Sequence, residues 1–296
     1  MLVGLVQVDA RTSTGTTDLT VSGYGTCKGA ILWVTRATAN ASAATHYVFG
    51  MGATDGTRDR CFSTSSEDAL SDTNTFNRAK TGKCLMLINP ADGSIDGEVQ
   101  FDSFITDGIR INTTDAFGSA YKIEALLFFG SDCQMYVGDF DTTSGNVDVT
   151  APNFTPNGVC VFGPRAPIDD TGRASACYSI GWAHWNGSTV AQFSINGGED
   201  DGAAAGQTYL RPESAKVTTD VQNATVGGDV TLSTFDSQGF TAVQGNSAGF
   251  PCMFAAIKFD NNADLRQYGT RTASGTFNHT ESGKRPHADA CRTRCG

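Results

Sequence analysis

The chain states one phrase twice. VQFDSFITDGIRINT (Val99 to Thr113) and VTLSTFDSQGFTAVQ (Val230 to Gln244) each read as two short strands around a tight turn, with Asp107-Gly108 falling on Gln238-Gly239 at a displacement of 131 residues. HYVFGMGA (His46 to Ala53) lies over CYSIGWAH (Cys177 to His184) at the same displacement, which sets Gly50 on Gly181. EALLFF (Glu124 to Phe129) falls on AAIKFD (Ala255 to Asp260), again at 131, and GAILWVTRA from Gly29 matches GVCVFGPRA from Gly158 at 129. Chance similarity of low-complexity β sequence seldom keeps an offset constant to within two residues through four separated blocks, so the pattern predicts an internal tandem duplication.

The phrase opens three times. RTSTGTTDLT (Arg11 to Thr20), DTTSGNVDVT (Asp141 to Thr150) and RTASGTFNHT (Arg271 to Thr280) share one pattern. Three openings flanking two bodies suggest that each opening strand completes the preceding sheet as well as leading into the next, which would protect edges from stray pairing. The expected organisation is a first repeat over 1–140, a second over 141–270, and a partial third opening with a C-terminal arm over 271–296, the main boundary lying near Gly138 to Thr150.

Within each repeat the pattern is β. Strong helix formers are scarce, while Thr, Ser, Asn, Asp and 34 Gly suit short strands joined by many turns. ILWV and VCVFG are apolar runs of the kind expected for strands buried on both faces, whereas YKIEALLFFG partly alternates, with Tyr121, Ile123 and Ala125 on one side. Asp107-Gly108 is a strong hairpin signal, since Gly takes positive φ without steric penalty. The expected fold class is all-β: two tandem jelly-roll-like β-sandwich domains plus a short arm.

The formal net charge of −10 disfavours a nucleic-acid partner, because phosphate binding needs clustered Lys and Arg. The last stretch, GKRPHADACRTRCG, is basic, with Lys284, Arg285, Arg292 and Arg294 against Asp289. It reads either as an arm that docks on a neighbouring copy or as a solvated terminus. No apolar run reaches membrane-span length, and the start lacks the pattern of a signal peptide, so a soluble protein not exported by the general route is expected. Nine cysteines are many for a reducing cytoplasm, and an odd number leaves at least one thiol free or paired with another chain.

Chemistry-bearing motifs are absent: there is no nucleophile elbow, Walker loop, dinucleotide glycine fingerprint or HExxH, and His46, His184, His279 and His287 occupy unrelated places. The expectation is a protein that is not an enzyme, without catalytic residues, cofactor or metal. His287, Cys291 and Cys295 offer three zinc-type ligands at untypical spacing. A disulfide role for Cys291 and Cys295, within the arm or to another subunit, stands beside reduced and inert thiols. DGSIDGE (Asp92 to Glu98) and GGEDDG (Gly197 to Gly202) gather carboxylates without the spacing of a calcium loop and read as solvated turns. In GWAHWNG, Trp182 matches Met51 and reads as core, whereas Trp185 falls on Thr54 and is the exposed candidate for stacking on a sugar or another subunit.

GYGTCKGAILWVTRA and NFTPNGVCVFGPRA, a following glycine-containing core strand, then VQFDSFITDGIRI or VTLSTFDSQGFTA with an apolar strand, resemble tailed-bacteriophage virion structural proteins that carry such a unit in duplicate. Asn153-Phe154-Thr155-Pro156 keeps the Phe and Pro of the second block's usual start but not its Gly, and the tail from Gly283 lies outside the resemblance. The resemblance implies a component of the particle exterior, assembled in the host cytoplasm, with no catalytic residues to carry over. A capsid decoration or cement protein is the leading expectation, a homo-oligomer contacting the major capsid protein or neck and tail proteins, with no membrane or nucleic-acid partner. The alternative is a tail, neck or fibre protein that binds a receptor glycan.

Overall fold

Strand formers and turn formers follow one another so regularly that the described residues form twenty-one β-strands and no helix. The computed structural model describes residues 2–259 apart from 143–144, 165, 186–187, 205–206, 223–224 and 246–249. The first half supplies β1 (Leu2–Asp9), β2 (Gly15–Thr20), β3 (Cys27–Thr35), β4 (Tyr47–Thr54), β5 (Asp59–Ser66), β6 (Thr75–Thr81), β7 (Leu85–Ile88), β8 (Ile95–Ile105), β9 (Gly108–Asp115) and β10 (Lys122–Phe129). The second supplies β11 (Cys133–Asp141), β12 (Asn146–Val149), β13 (Gly158–Gly163), β14 (Arg173–Ala174), β15 (Ala176–Trp185), β16 (Val190–Glu199), β17 (Thr208–Glu213), β18 (Thr218–Gln222), β19 (Thr225–Phe235), β20 (Phe240–Gln244) and β21 (Pro251–Phe259).

Both halves use one strand order. The first has sheets β1-β10-β3-β4-β5-β6 and β2-β9-β8-β7; the second has β11-β21-β13-β15-β16-β17 and β12-β20-β19-β18. In each, the first and last strands are neighbours in one sheet and the second and penultimate strands are neighbours in the other. Paired strands thus wrap the body as in a jelly roll, while the four strands beside them form a simple meander. The odd strand is β14, which leaves its own half and extends the first half's larger sheet, Arg173 pairing Asn77 and Ala174 pairing Phe76. Because β11 already pairs with β21, the changeover falls at residues 130–132, ahead of the stretch where the sequence places the boundary.

Among the described residues three large apolar cores lie between four sheet layers, with a smaller cluster of Cys61, Met86 and Ile88 between β5 and β7. The first half's sheets enclose Leu19, Leu32, Val34, Leu85, Val99, Ile109, Tyr121, Ile123, Ala125 and Leu127. The second half's sheets enclose Val159, Val161, Val217, Val230, Leu232, Phe240, Phe254 and Ala256. Between the two larger sheets runs a middle core in which Ile31, Met51, Phe62 and Phe128 of the first half meet Val137, Cys160, Phe162, Met253 and Ile257 of the second. Alternate residues of one strand therefore serve different cores: Leu32 and Val34 face one way and Ile31 and Trp33 the other, as Val159 and Val161 oppose Cys160 and Phe162. This is the physical reason for the unbroken apolar runs ILWV and VCVFG. Trp182 is half-buried against the middle core.

Polar contacts also tie the halves. Arg60 bonds Asp139 at 2.6 Å, the Val137 N–H donates to Asp55 at 2.9 Å, and Asp170 pairs with both Arg78 and Lys80 at 2.8 Å. Burial alone would raise the Asp170 carboxyl, but the hydrogen bonds and charges of Lys80 and Arg78 together hold it below the usual range. The described residues form one compact unit.

The hairpin turn differs from expectation in one respect. Positive φ is carried by Asp107 (64°), not by Gly108. Asp107 tolerates it because its carboxylate accepts the Gly23 and Gly25 N–H groups at 2.8 and 2.6 Å, which also holds its pKa below the ordinary value. Gly108 is required instead for close approach, since a Cβ there would lie 1.8 Å from the Leu19 carbonyl oxygen. Gly239 meets the Val149 carbonyl in the same way at 1.9 Å. The displacement of 131 thus fits the hairpins, whereas the block at Gly181 fits two residues fewer. Gly181 pairs with Val161 and crowds the Val217 carbonyl as Gly52, not Gly50, pairs with Leu32 and crowds the Cys84 carbonyl. The opening strands close their own bodies only, β2 on β9 and β12 on β20. The third opening and the arm lie outside the described residues.

Candidate functional site

At one end of the middle layer the two larger sheets separate and leave a cleft of about 800 Å³. Its first wall comes from the start of β4 with His46 and Tyr47, the end of β5, and the loop from Glu67 to Thr73. Its second wall comes from Tyr178 on β15, Gly197 to Glu199 on β16, and Tyr209 and Leu210 on β17. The walls are stitched together below the opening. Thr73 N–H donates to the Ala203 carbonyl at 3.1 Å, Gly202 N–H to the Thr73 carbonyl at 2.7 Å, and Thr75 N–H to the Asp201 carboxylate at 2.8 Å.

Local sequence explains how the aromatic groups reach the cleft. A Cβ at Gly197 would stand 2.4 Å from the Tyr178 ring, so the glycine leaves the space that the ring fills. Tyr47 lies across from Tyr178 with ring centroids 6.4 Å apart, and Phe49 backs Tyr178 at 6.2 Å. Burial chiefly, then Tyr178 and Glu199 nearby, pushes the Tyr47 hydroxyl far above its ordinary pKa, although the residue as a whole is 45% exposed. Burial also raises Tyr178 against the opposing hydrogen bond from Tyr47. Both hydroxyls therefore stay protonated near neutral pH and can donate as well as accept.

The cleft is acidic. Glu67, Asp68, Asp72 and Glu199 line it, and among the described residues no Lys or Arg does. Three of these carboxylates hold neutral donors: Glu67 accepts from Asn74 at 2.6 Å, Asp68 from the Ala69 N–H at 2.9 Å, and Glu199 from Thr208 at 3.2 Å. His46 accepts the Asp68 N–H on Nδ1 at 3.0 Å, which leaves Nε2 as the ring's donor. His46 and Ala69 both sit at positive φ, 65° and 69°, a backbone cost concentrated at this rim.

The residues singled out from sequence lie elsewhere or outside. Trp185 ends β15 at 47% exposure, at the opposite end of that strand from Ala176 and Tyr178, and takes no part in the cleft. Cys291 and Cys295 lie outside the described residues, as do His279 and His287. Seven cysteines are described, all buried except the half-buried Cys177, and none is joined to another described cysteine in a disulfide. In the two acidic loops, Asp92 accepts from the Ser94 N–H at 2.9 Å, Glu98 is buried against Lys80 and Lys83, and Asp201 caps Thr75. Among the described residues no group of three or more His, Cys, Asp or Glu is gathered to hold a metal ion.

Sequence reasoning missed the cleft tyrosines. The available signal was that matching HYVFGMGA to CYSIGWAH overlays Tyr47 on Tyr178. By sheet position Tyr178 answers to Phe49 instead, and the two tyrosines meet across the opening. Comparison with known protein families, with curated proteins and with solved structures finds no match to this chain.

Proposed function

We propose that the chain is a structural component of a tailed-phage particle, a decoration or cement protein on the capsid exterior. The observation that carries this reading is the middle core, which joins two sandwiches of one strand order into four packed layers. A body whose inner sheets are buried on both faces resists shear, as a component under internal pressure must, and its polar surface bears the acidic excess of the chain. Six of the seven described cysteines are buried, so disulfide links to neighbours are assigned to the Cys291 and Cys295 arm. A cement subunit gains its contacts only in the assembled lattice and stabilises that lattice by mass action.

Labelled antibody on intact particles, with quantitation of copies, tests the proposal. Label over the whole head at a copy number matching the capsid lattice is the expected result, and label confined to the tail tip refutes it. A non-reducing gel of the same particles tests the arm, because a chain running as monomer with all its thiols free removes the cross-linking step.

A further inference from the structure

We propose that the cleft between the two larger sheets is a binding site for a neutral oligosaccharide. Sugar recognition needs an aromatic face for the apolar side of the ring and convergent acceptors and donors for its hydroxyls. Tyr47, Tyr178 and Tyr209 supply the first. The second comes from the cleft carboxylates, the protonated tyrosine hydroxyls and the Nε2–H of His46. The volume of about 800 Å³ falls within the range of small-molecule sites and leaves room for several linked sugar rings.

Charge selects among ligands. Four carboxylates with no Lys or Arg beside them among the described residues repel an acidic polysaccharide, a phosphate or a nucleic acid. A bare cation is disfavoured, because no metal-holding group is gathered among the described residues. Three of the carboxylates already accept from an amide, a backbone N–H and a hydroxyl, which is the bonding a sugar hydroxyl would join. The site is assembled from both halves, with Tyr47 in one wall and Tyr178 and Tyr209 in the other, so neither half holds it alone. This inference is independent of where the chain sits on a particle.

Calorimetric titration of the full chain tests it, with malto-, chito- and galacto-oligosaccharides as neutral probes, oligogalacturonate as the anionic probe and oligolysine as the cationic one. At least one neutral probe is expected to bind, with affinity reduced about tenfold or more by Tyr47→Ala and by Tyr209→Ala. Tyr47→Phe keeps the ring and is expected to lose less than Tyr47→Ala, which separates stacking from misfolding, and each variant is checked for the native far-UV spectrum. Failure of all three neutral probes at millimolar concentration overturns the proposal. So does selective binding of oligolysine, which would make the cleft a site for a basic peptide, and so does loss of sugar binding on Trp185→Ala with Tyr47→Ala unaffected.

Discussion

Truncating Phe62 to alanine is the sharpest test of the four-layer arrangement. Phe62 is fully buried in the middle core, with its ring 6.0 Å from Phe49 of its own half and 6.4 Å from Phe162 of the other. A buried phenylalanine removes about 150–250 Å² from water, which at ~25 cal/mol per Å² is worth about 4–6 kcal/mol as an upper bound. Truncation with partial collapse of the cavity then costs about 3–5 kcal/mol. Phe162→Ala should cost a similar amount, and the double variant should fall short of the sum by about 0.5–1.5 kcal/mol, the coupling of a ring pair in contact. The assay is guanidinium unfolding followed by tryptophan fluorescence, with Trp33 retained alone to report on the first half and Trp182 alone to report on the second. Both reporters should shift together in each phenylalanine variant, because one core serves both halves. Two separate transitions, with Phe62→Ala moving only the Trp33 signal and by less than about 1 kcal/mol, would refute the reasoning, since Phe62 would then lie on the free surface of an autonomous domain.

Gly52→Ala and Gly181→Ala should each destabilise by about 1–3 kcal/mol or more in the same unfolding assay. The added Cβ would stand 2.3 Å from the Cys84 oxygen in the first case and 1.8 Å from the Val217 oxygen in the second, and wild-type stability in either variant would contradict that approach. Native-state alkylation read by mass spectrometry should modify Cys177 before Cys61, Cys84, Cys160 and Cys252, because burial excludes reagent and pushes those four thiols up. Equal labelling of the five in the folded protein would show that the inner sheets open. Acid should weaken the clasp between halves. Asp170 has a folded pKa below its unfolded value of about 3.9, so its contribution is present above that pH and is lost as pH falls through the folded value. Asp170→Asn should cost about 1 kcal/mol near neutral pH after allowance for solvent screening, and should flatten the acid limb of a stability profile measured from pH 7 to 2. Asp59, raised by burial, works in the opposite sense and must be subtracted by running Asp59→Asn in parallel.

Much of the β architecture is legible in the residues. Tyr121, Ile123 and Ala125 alternate as a strand with one face in the first core, and all three lie there. ILWV and VCVFG do not alternate, and the structure accounts for this with a core on either side of each strand. What the sequence leaves out is the partner of the second face. Two-sided apolar strands announce that another layer exists, but the identity of that layer depends on long-range packing between Phe62 and Phe162, which no local pattern encodes. The cleft escaped for the same reason. Tyr47, Tyr178 and Tyr209 belong to three strands in two sheets, and they converge only because the sheets separate at one end.

The displaced glycine shows a limit with a definite physical origin. The first half offers Gly50 and Gly52 on one strand, and the second offers Gly181 alone. A slip of one residue would have turned every side chain to the wrong face, and the apolar pattern excludes it. A slip of two leaves each side chain on its own face, so hydrophobicity does not distinguish a displacement of 129 from one of 131. The choice is made by the backbone. Gly181 must pass the Val217 and Phe193 carbonyls, and in the first half the residue that passes the corresponding Cys84 and Arg60 carbonyls is Gly52. Glycine positions therefore carry register information that side-chain periodicity lacks, provided the reason for each glycine is close approach rather than positive φ. The turn at Asp107-Gly108 makes the same point, since there the left-handed residue is the aspartate and the glycine is kept by the Leu19 carbonyl.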